Sequence, residues 1–272
     1  MPSRARASPI PIALTIAGSD SGGGAGIQAD LRTFQQLGVY GTSVVTAVTA
    51  QNTVAVRAWE KVRAALVSQQ LDAVAEDLRP AAVKSGMLGS IDVVEAVSRG
   101  LARHRLPHYV LDPVIVATSG MRLLVADAER LVARLLVPLA ELVTPNLAEA
   151  AALTGSAVAT VAQMEAAGAA LVRMGAKAAL ITGGHLDGEA LTDVLVTADG
   201  VRRFAHQRIA AGPTHGTGCT LSAAIAAGLA HGRDLGQAVA DAIDFVQEAI
   251  RTTPRFGRGS GPLDPLAGSS GG

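Results

Sequence analysis

The 272-residue sequence carries one cysteine, Cys219, so it cannot form an internal disulfide. A lone thiol is the usage of a reducing compartment, and a cytoplasmic setting is expected. Aromatic residues make up only 3% of the chain, so its core must be built from Ala, Val, Leu and Ile. Charge of one sign is not in excess: 23 basic residues face 23 acidic ones. This balance argues against a nucleic-acid partner or an anionic membrane surface. No apolar run approaches the roughly 18–20 residues of a membrane span. Arg4 and Arg6 before the apolar run Ile10–Ala17 imitate a secretion signal, but the run is short and passes directly into a Gly-rich turn, as a first strand would. No Gly-Lys dipeptide occurs, so any phosphate is handled without a P-loop.

Apolar residues form 49% of the chain, enough for a sizeable core, and they come in alternating strand-like and helix-like segments. Strands are expected at Ile10–Ala17, Thr42–Ala50, Ala81–Lys84, His108–Leu111, Leu142–Thr144 and Ala178–Thr182. Helices are expected at Ala25–Leu37, Ala64–Leu78, Ile91–Arg103, Asp127–Val137, Leu147–Leu153 and Ala162–Met174. Asp193–Thr197 and Val201–Ile209 flank the turn Ala198-Asp199-Gly200 as a hairpin, followed by helices Thr217–Ala230 and Leu235–Arg251. Strands separated by helices predict an α/β fold with a central, mainly parallel sheet, helices on both faces, and a C-terminal β-hairpin followed by two helices. Neither a repeat nor a linker divides the chain. One domain over 10–266 is expected, with a flexible N-terminus, 1–9, and a flexible Gly/Ser tail, 267–272.

Ligands of such sheets collect beyond the carboxyl ends of the strands. Four places there carry chemistry. Gly18-Ser19-Asp20-Ser21-Gly22-Gly23-Gly24-Ala25-Gly26 follows the first strand and lets a backbone approach a ligand. A dinucleotide fingerprint is not supported, because the second strand ends in Gln51-Asn52 rather than an acid. Thr214-His215-Gly216-Thr217-Gly218-Cys219-Thr220 opens a long apolar helix, where the amides of Gly216, Thr217 and Gly218 would form an anion hole. The same field is expected to lower the pKa of Cys219, a candidate base or nucleophile. Asp112, Asn146 and Glu149 fall at neighbouring strand ends and suit Mg²⁺ through water, while Asn146 and Glu149 also have the spacing of a helix capping box. Gln51 could read the edge of a heterocycle.

In order, the blocks Ala17–Gly26, Thr46–Thr53, Lys84–Gly89, Leu111–Val114, Thr144–Glu149, Gly183–His185 and Thr214–Thr220 resemble those of hydroxymethylpyrimidine/phosphomethylpyrimidine kinases. The likeness runs from about Ile10 to Leu266 and includes the tail Gly257–Asp264. It implies a ribokinase-like fold, usually a homodimer, that transfers phosphate from ATP·Mg²⁺ to 4-amino-5-hydroxymethyl-2-methylpyrimidine and then to its monophosphate, in thiamin biosynthesis. By position, it implies that Gln51 binds the aminopyrimidine, that Gly18, Asp30 and Met87 line the same pocket, and that Val114 lies beside it. Gly216, Thr217 and Gly218 match the anion hole, and Cys219 sits where sugar kinases place a catalytic Asp. Thr182, Gly184, Thr214 and Asn146 match the nucleotide side, and Asp112 and Glu149 the surroundings of Mg²⁺.

The chain departs from this pattern twice. Thr182-Gly183-Gly184-His185 stands where the family usually has Lys-Gly-Gly-His, and Ala117-Thr118-Ser119-Gly120-Met121 where the flap usually has a Lys second. Each missing cation would cost about 2–4 kcal/mol of transition-state stabilisation if uncompensated, and Arg122 could replace one. The alternatives are a pyridoxal/pyridoxine kinase, whose substrate is a similar hydroxymethylpyridine, or a non-catalytic pyrimidine-binding protein.

Overall fold

The computed structural model describes residues 10–115, 126–210, 212, 214–264 and 266. The expected flexible ends, 1–9 and 267–272, and the flap with Arg122 lie outside the described residues.

The sheet has nine strands. In spatial order they are β3 (Val56–Lys61), β2 (Tyr40–Gln51), β1 (Ile12–Asp20), β4 (Ala82–Ser85), β5 (Tyr109–Leu111), β6 (Leu142–Val143), β7 (Ala178–Ile181), β8 (Ala190–Thr197) and β9 (Gly200–Gln207). The six strands from β2 to β7 are parallel, and β3, β8 and β9 are antiparallel additions at the two edges. The central strands read as unbroken apolar runs because both faces are covered. The edge strands carry Arg57, Glu60 and Lys61 on one side and Arg202 and Arg203 on the other, charges that discourage pairing with further chains.

The helices divide between the two faces. One face packs α2 (Ala64–Asp77), α3 (Ile91–His104), α4 (Ala126–Leu131), α5 (Leu147–Thr154) and α6 (Val161–Arg173) over the larger core cluster, around Leu71, Leu136 and Leu171. The other packs α1 (Gly26–Gln36), α7 (Thr217–Ala230) and α8 (Leu235–Arg251) over Phe34, Ile225 and Val239. Helix α7 is apolar nearly all round because it lies against β1, β4 and β5 and between α1 and α8.

Three local features differ from the sequence reading. The edge strand β3 was not expected. The helix predicted over Asp127–Val137 is α-helical only to Leu131, then widens into a π-turn over Val132–Leu136. Pro138 explains this: its ring has no N–H and would clash with the carbonyl four residues earlier in a regular helix. Finally, two short strands, β10 (Thr214–His215) and β11 (Gly261–Pro262), pair in parallel and draw the C-terminal segment across the mouth of the sheet.

Candidate functional site

The glycine run after β1 is folded around one carboxylate. Asp20 accepts hydrogen bonds from the backbone N–H groups of Gly22 (2.8 Å), Gly24 (2.9 Å) and Ala25 (2.9 Å). Burial opposes ionisation of Asp20, but bonds from His215 and these amides outweigh it and hold the carboxyl below its ordinary pKa. The loop is thereby a built surface rather than a slack one. It touches the second glycine motif directly. Gly216 caps α7 with φ +84°, and a Cβ there would lie 1.9 Å from the Gly24 carbonyl oxygen. Only glycine allows the two loops to meet.

Beyond this contact, the first amides of α7 have no acceptor within the helix. Nothing lies within 4 Å of the place a Cβ on Gly218 would take, so there is open space beside the first turn of α7. The Cys219 thiol accepts from the N–H of Gly26, the first residue of α1, so two helix N-termini converge on it. Its pKa is nevertheless pushed up to about 12. Burial is the main cause, and the Asp112 and Asp30 carboxylates add to it against the pull of Lys84. The expected thiolate-promoting field is therefore overruled, and Cys219 is a neutral thiol at pH 7.

Beneath Cys219 is a buried charge cluster that sequence reasoning missed. Lys84 and Asp30 are both 0% exposed, with Nζ 2.9 Å from each Asp30 oxygen and 3.5 Å from Asp112 Oδ2. Burial works against the Lys84 charge, but Asp30, Cys219 and Asp112 outweigh it and raise its pKa. Thr15 Oγ1 donates to Asp30 at 2.5 Å, and Ser222 Oγ lies 3.1 Å from Asp112 Oδ2. Asp30 was expected to line the substrate pocket. The structure instead seals it under the site, its oxygens held by Lys84 and Thr15.

Of the other residues matched to the pyrimidine pocket, Gly18, Met87 and Val114 lie near one another. A Cβ on Gly18 would be 3.2 Å from Met87 Sδ, and Met87, Ala47, Trp59 and Val114 form a small apolar cluster of their own, outside the two main cores. Trp59 comes from the unexpected strand β3. Gln51 stands at the end of β2 with its amide nitrogen 2.7 Å from His215 Nε2, one residue from Gly216. His215 had drawn no role from the sequence.

Of the residues that the resemblance matches to a nucleotide, Asn146, Thr182 and Gly184 follow β6 and β7, and Thr214 opens β10. Asn146 bridges to Thr182, whose N–H donates to the Pro145 carbonyl, and the Gly183 N–H donates to the buried Asp193 carboxylate. Gly184 faces open space, and Thr214 Oγ1 is 3.4 Å from Thr217 Oγ1 at the start of α7. A cation not foreseen reaches the loop after β7 from the end of β9: the Arg208 guanidinium donates to the carbonyls of Gly184, Leu186 and Gly188.

Asn146 and Glu149 form the expected capping box, with both bonds at 3.0 Å. Glu149 is also buried and its pKa rises to about 8, first through burial and then through repulsion by Asp112. Two hard oxygen donors this close in the fold fit a cation such as Mg²⁺, which keeps most of its waters and needs few protein ligands. Among the described residues no group of three or more His, Cys, Asp or Glu could hold a metal, so a fully protein-bound metal cage is not formed there. The raised pKa also has a consequence for stability. It is present in full below the unfolded value near 4.5 and is lost as pH rises through about 8, because the native state then gives up a proton that it holds more tightly. Melting temperatures between these limits should fall with pH in the wild type and vary less in Glu149→Gln, which keeps the capping geometry.

With this geometry in place, comparison with known proteins is decisive. The family described as phosphomethylpyrimidine kinase matches residues 20–264. The chain belongs to this family. A hydroxymethylpyrimidine/phosphomethylpyrimidine kinase of Rhizobium meliloti is 52% identical over 255 residues, covering 93% of this chain and 96% of that one. The phosphomethylpyrimidine kinase of Clostridium difficile superposes with a TM-score of 0.80 at 41% identity, over 88% of this chain and 99% of the other. A Bacillus subtilis pyridoxal kinase, solved as an ADP complex, superposes with a TM-score of 0.89 at 35% identity, over 95% of this chain and 98% of that one. The fold of this family member is ribokinase-like, as the resemblance implied. Among the described residues, no helix is long and apolar enough to cross a membrane.

Proposed function

We propose that this protein is a cytoplasmic, ATP-dependent kinase that phosphorylates 4-amino-5-hydroxymethyl-2-methylpyrimidine and then its monophosphate. The observation that carries the reading is the close approach of Gly216 to the Gly24 carbonyl, which sets the start of α7 beside the glycine loop that follows β1. The ring would lie on Gly18, Met87 and Val114, with its polar edge read by Gln51. The γ-phosphoryl group would be received by the amides opening α7, between Gly216 and Cys219. Phosphoryl transfer is mostly positioning and charge neutralisation, which these groups provide. Asp112 and Glu149 would hold Mg²⁺ through water, and the ion would neutralise charge spread over the phosphates. Asn146, Thr182, Gly184 and Thr214 would border the nucleotide, with Arg208 supplying positive charge on the loop where Thr182 replaces Lys. The whole segment 10–266 acts as one domain in this reading. A homodimer is supported by Tyr40, Val48 and Val54, which are exposed around the β2–β3 edge.

As a neutral thiol, Cys219 orients the alcohol rather than acting as its base; the hydroxyl proton would leave late, to an oxygen of the transferred phosphoryl group as the new O–P bond forms. In the second step the acceptor is already an ionised phosphate. Cys219→Ala is therefore expected to slow the first step by up to about 100-fold, the scale of a lost positioning contact, and the second step much less. Phosphorus NMR of a reaction with ATP, Mg²⁺ and hydroxymethylpyrimidine tests the function. A monophosphate resonance followed by a coupled pyrophosphate pair is expected. Unchanged ATP, or phosphorylation of pyridoxine but not of the pyrimidine, would overturn the reading.

A further inference from the structure

We propose that residues 252–263 form a strap that positions the substrate ring: its tip closes on Thr53 and holds the turn after Gln51 at a fixed spacing from the start of α7. The inference rests on the pyrimidine-kinase reading above, because it needs a ring read at Gln51, and it adds Thr53 and Gly259 as positioning residues.

The strap leaves and rejoins the fold at one point. Thr253 Oγ1 donates to the Ala249 carbonyl at 2.7 Å, and the Asp264 N–H donates to the same oxygen at 3.2 Å. Leu263 is buried in the core that α1, α7 and α8 cover. A surface loop whose ends are held together in this way is a compact element rather than a slack tail. Between its ends it touches three parts of the site. Gly261 pairs with Thr214 and Pro262 with His215, directly before Gly216. A Cβ on Gly24 would be 3.4 Å from that of Pro262, so the glycine loop is in contact as well. The tip lies on Thr53, two residues past Gln51.

The contact at the tip is close enough to require glycine. A Cβ on Gly259 would stand 2.1 Å from the Thr53 carbonyl oxygen, and one on Gly257, where φ is +73°, 2.2 Å from Thr53 Oγ1. That hydroxyl accepts from the N–H groups of Arg258 at 3.3 Å and Gly259 at 3.4 Å. The turn needs support of this kind. The β2–β3 ladder shifts register between Ala50 and Gln51, and Asn52 and Val54 are exposed. Asn52 Oδ1 shapes the turn from within, accepting from the N–H groups of Val54 and Ala55, without tying it to the rest of the site. Ser21 Oγ fastens the Gln51 backbone to the glycine loop. The strap fastens the turn beyond Gln51 to β10, and so to the helix that would receive the phosphoryl group. A misplacement of about 1 Å between reacting groups is enough to cost about 100-fold in rate, so one fastener shared by the two ends of the site has kinetic consequences.

Steady-state kinetics, melting temperature and amide hydrogen exchange test the strap. Gly259→Ala lifts the tip off Thr53. It should lower kcat/KM for hydroxymethylpyrimidine by about 10- to 100-fold, leave the KM for ATP and the melting temperature close to wild type, and speed exchange over residues 51–55. Thr53→Val keeps the shape and removes the acceptor, so the pyrimidine KM should rise by about three- to tenfold. Thr53→Ser keeps the hydroxyl and should stay near wild type. This pair carries the test if Gly259→Ala fails to fold. Unchanged pyrimidine kinetics and exchange, or equal losses for ATP and pyrimidine with a lower melting temperature, would overturn the strap while leaving the kinase reading intact. A wild-type protein that turns over no pyrimidine would overturn the kinase reading and with it the ring-positioning role, even if exchange still showed the strap holding the turn.

Discussion

Lys84→Met is expected to destabilise the protein by about 3–5 kcal/mol, the usual cost of removing one partner from a buried ion pair. The ammonium lies 2.9 Å from both oxygens of Asp30 and 3.5 Å from Asp112, with no solvent access for the Lys84 or Asp30 side chain. Methionine fills a similar volume, so packing is nearly preserved and the loss reports the stranded carboxylates. The double variant Lys84→Met/Asp30→Asn removes one charge of each sign and should regain most of the stability, since the two sites share one interaction. Chemical denaturation measures both. A single variant that unfolds at the wild-type midpoint would mean that the charges are not buried as described.

Gly216→Ala should reduce kcat by about 100- to 1,000-fold, the scale seen when one preorganised oxyanion donor is lost. Two constraints act at once. The backbone has φ +84°, and the added methyl would sit 1.9 Å from the Gly24 carbonyl oxygen. The start of α7 must then move away from the glycine loop, carrying the amides of Thr217, Gly218 and Cys219 with it. Gly218→Ala is the informative contrast. Nothing lies within 4 Å of its would-be Cβ, so stability should hold, while the methyl would intrude into the space assigned to the phosphoryl group. A comparison of kcat and melting temperature across the two variants separates loss of fold from loss of site.

Much of the scaffold was legible because its signals are local. Buried parallel strands read as short apolar runs, α8 as an amphipathic period, and Asn146 with Glu149 as a capping box at i and i+3. What escaped depends on partners distant in sequence. Strand β3 is an edge strand in which Arg57, Glu60 and Lys61 mask the alternation, and its Trp59 gains meaning only through Met87 and Val114. Strands β10 and β11 are two residues each and exist through one another. Lys84 is one lysine at the end of a short strand until folding sets it against Asp30, 54 positions away. The helix N-terminus at Cys219 was visible, but the burial and the two carboxylates that reverse its effect on the thiol were not. Asp20 had a readable cue in an acid preceding a glycine run, the pattern of a side chain bonding amides just ahead of it.

The central claim is that the amides opening α7 receive the transferred phosphoryl group beside a ring held at Gln51. A crystal structure with ADP, Mg²⁺, aluminium fluoride and hydroxymethylpyrimidine tests it directly. The account predicts the fluoride group within about 2.7–3.1 Å of main-chain N–H groups between Gly216 and Cys219, in line with the hydroxymethyl oxygen. A planar fluoride group bound away from this helix start, or a pyrimidine that does not touch Gln51, would contradict it.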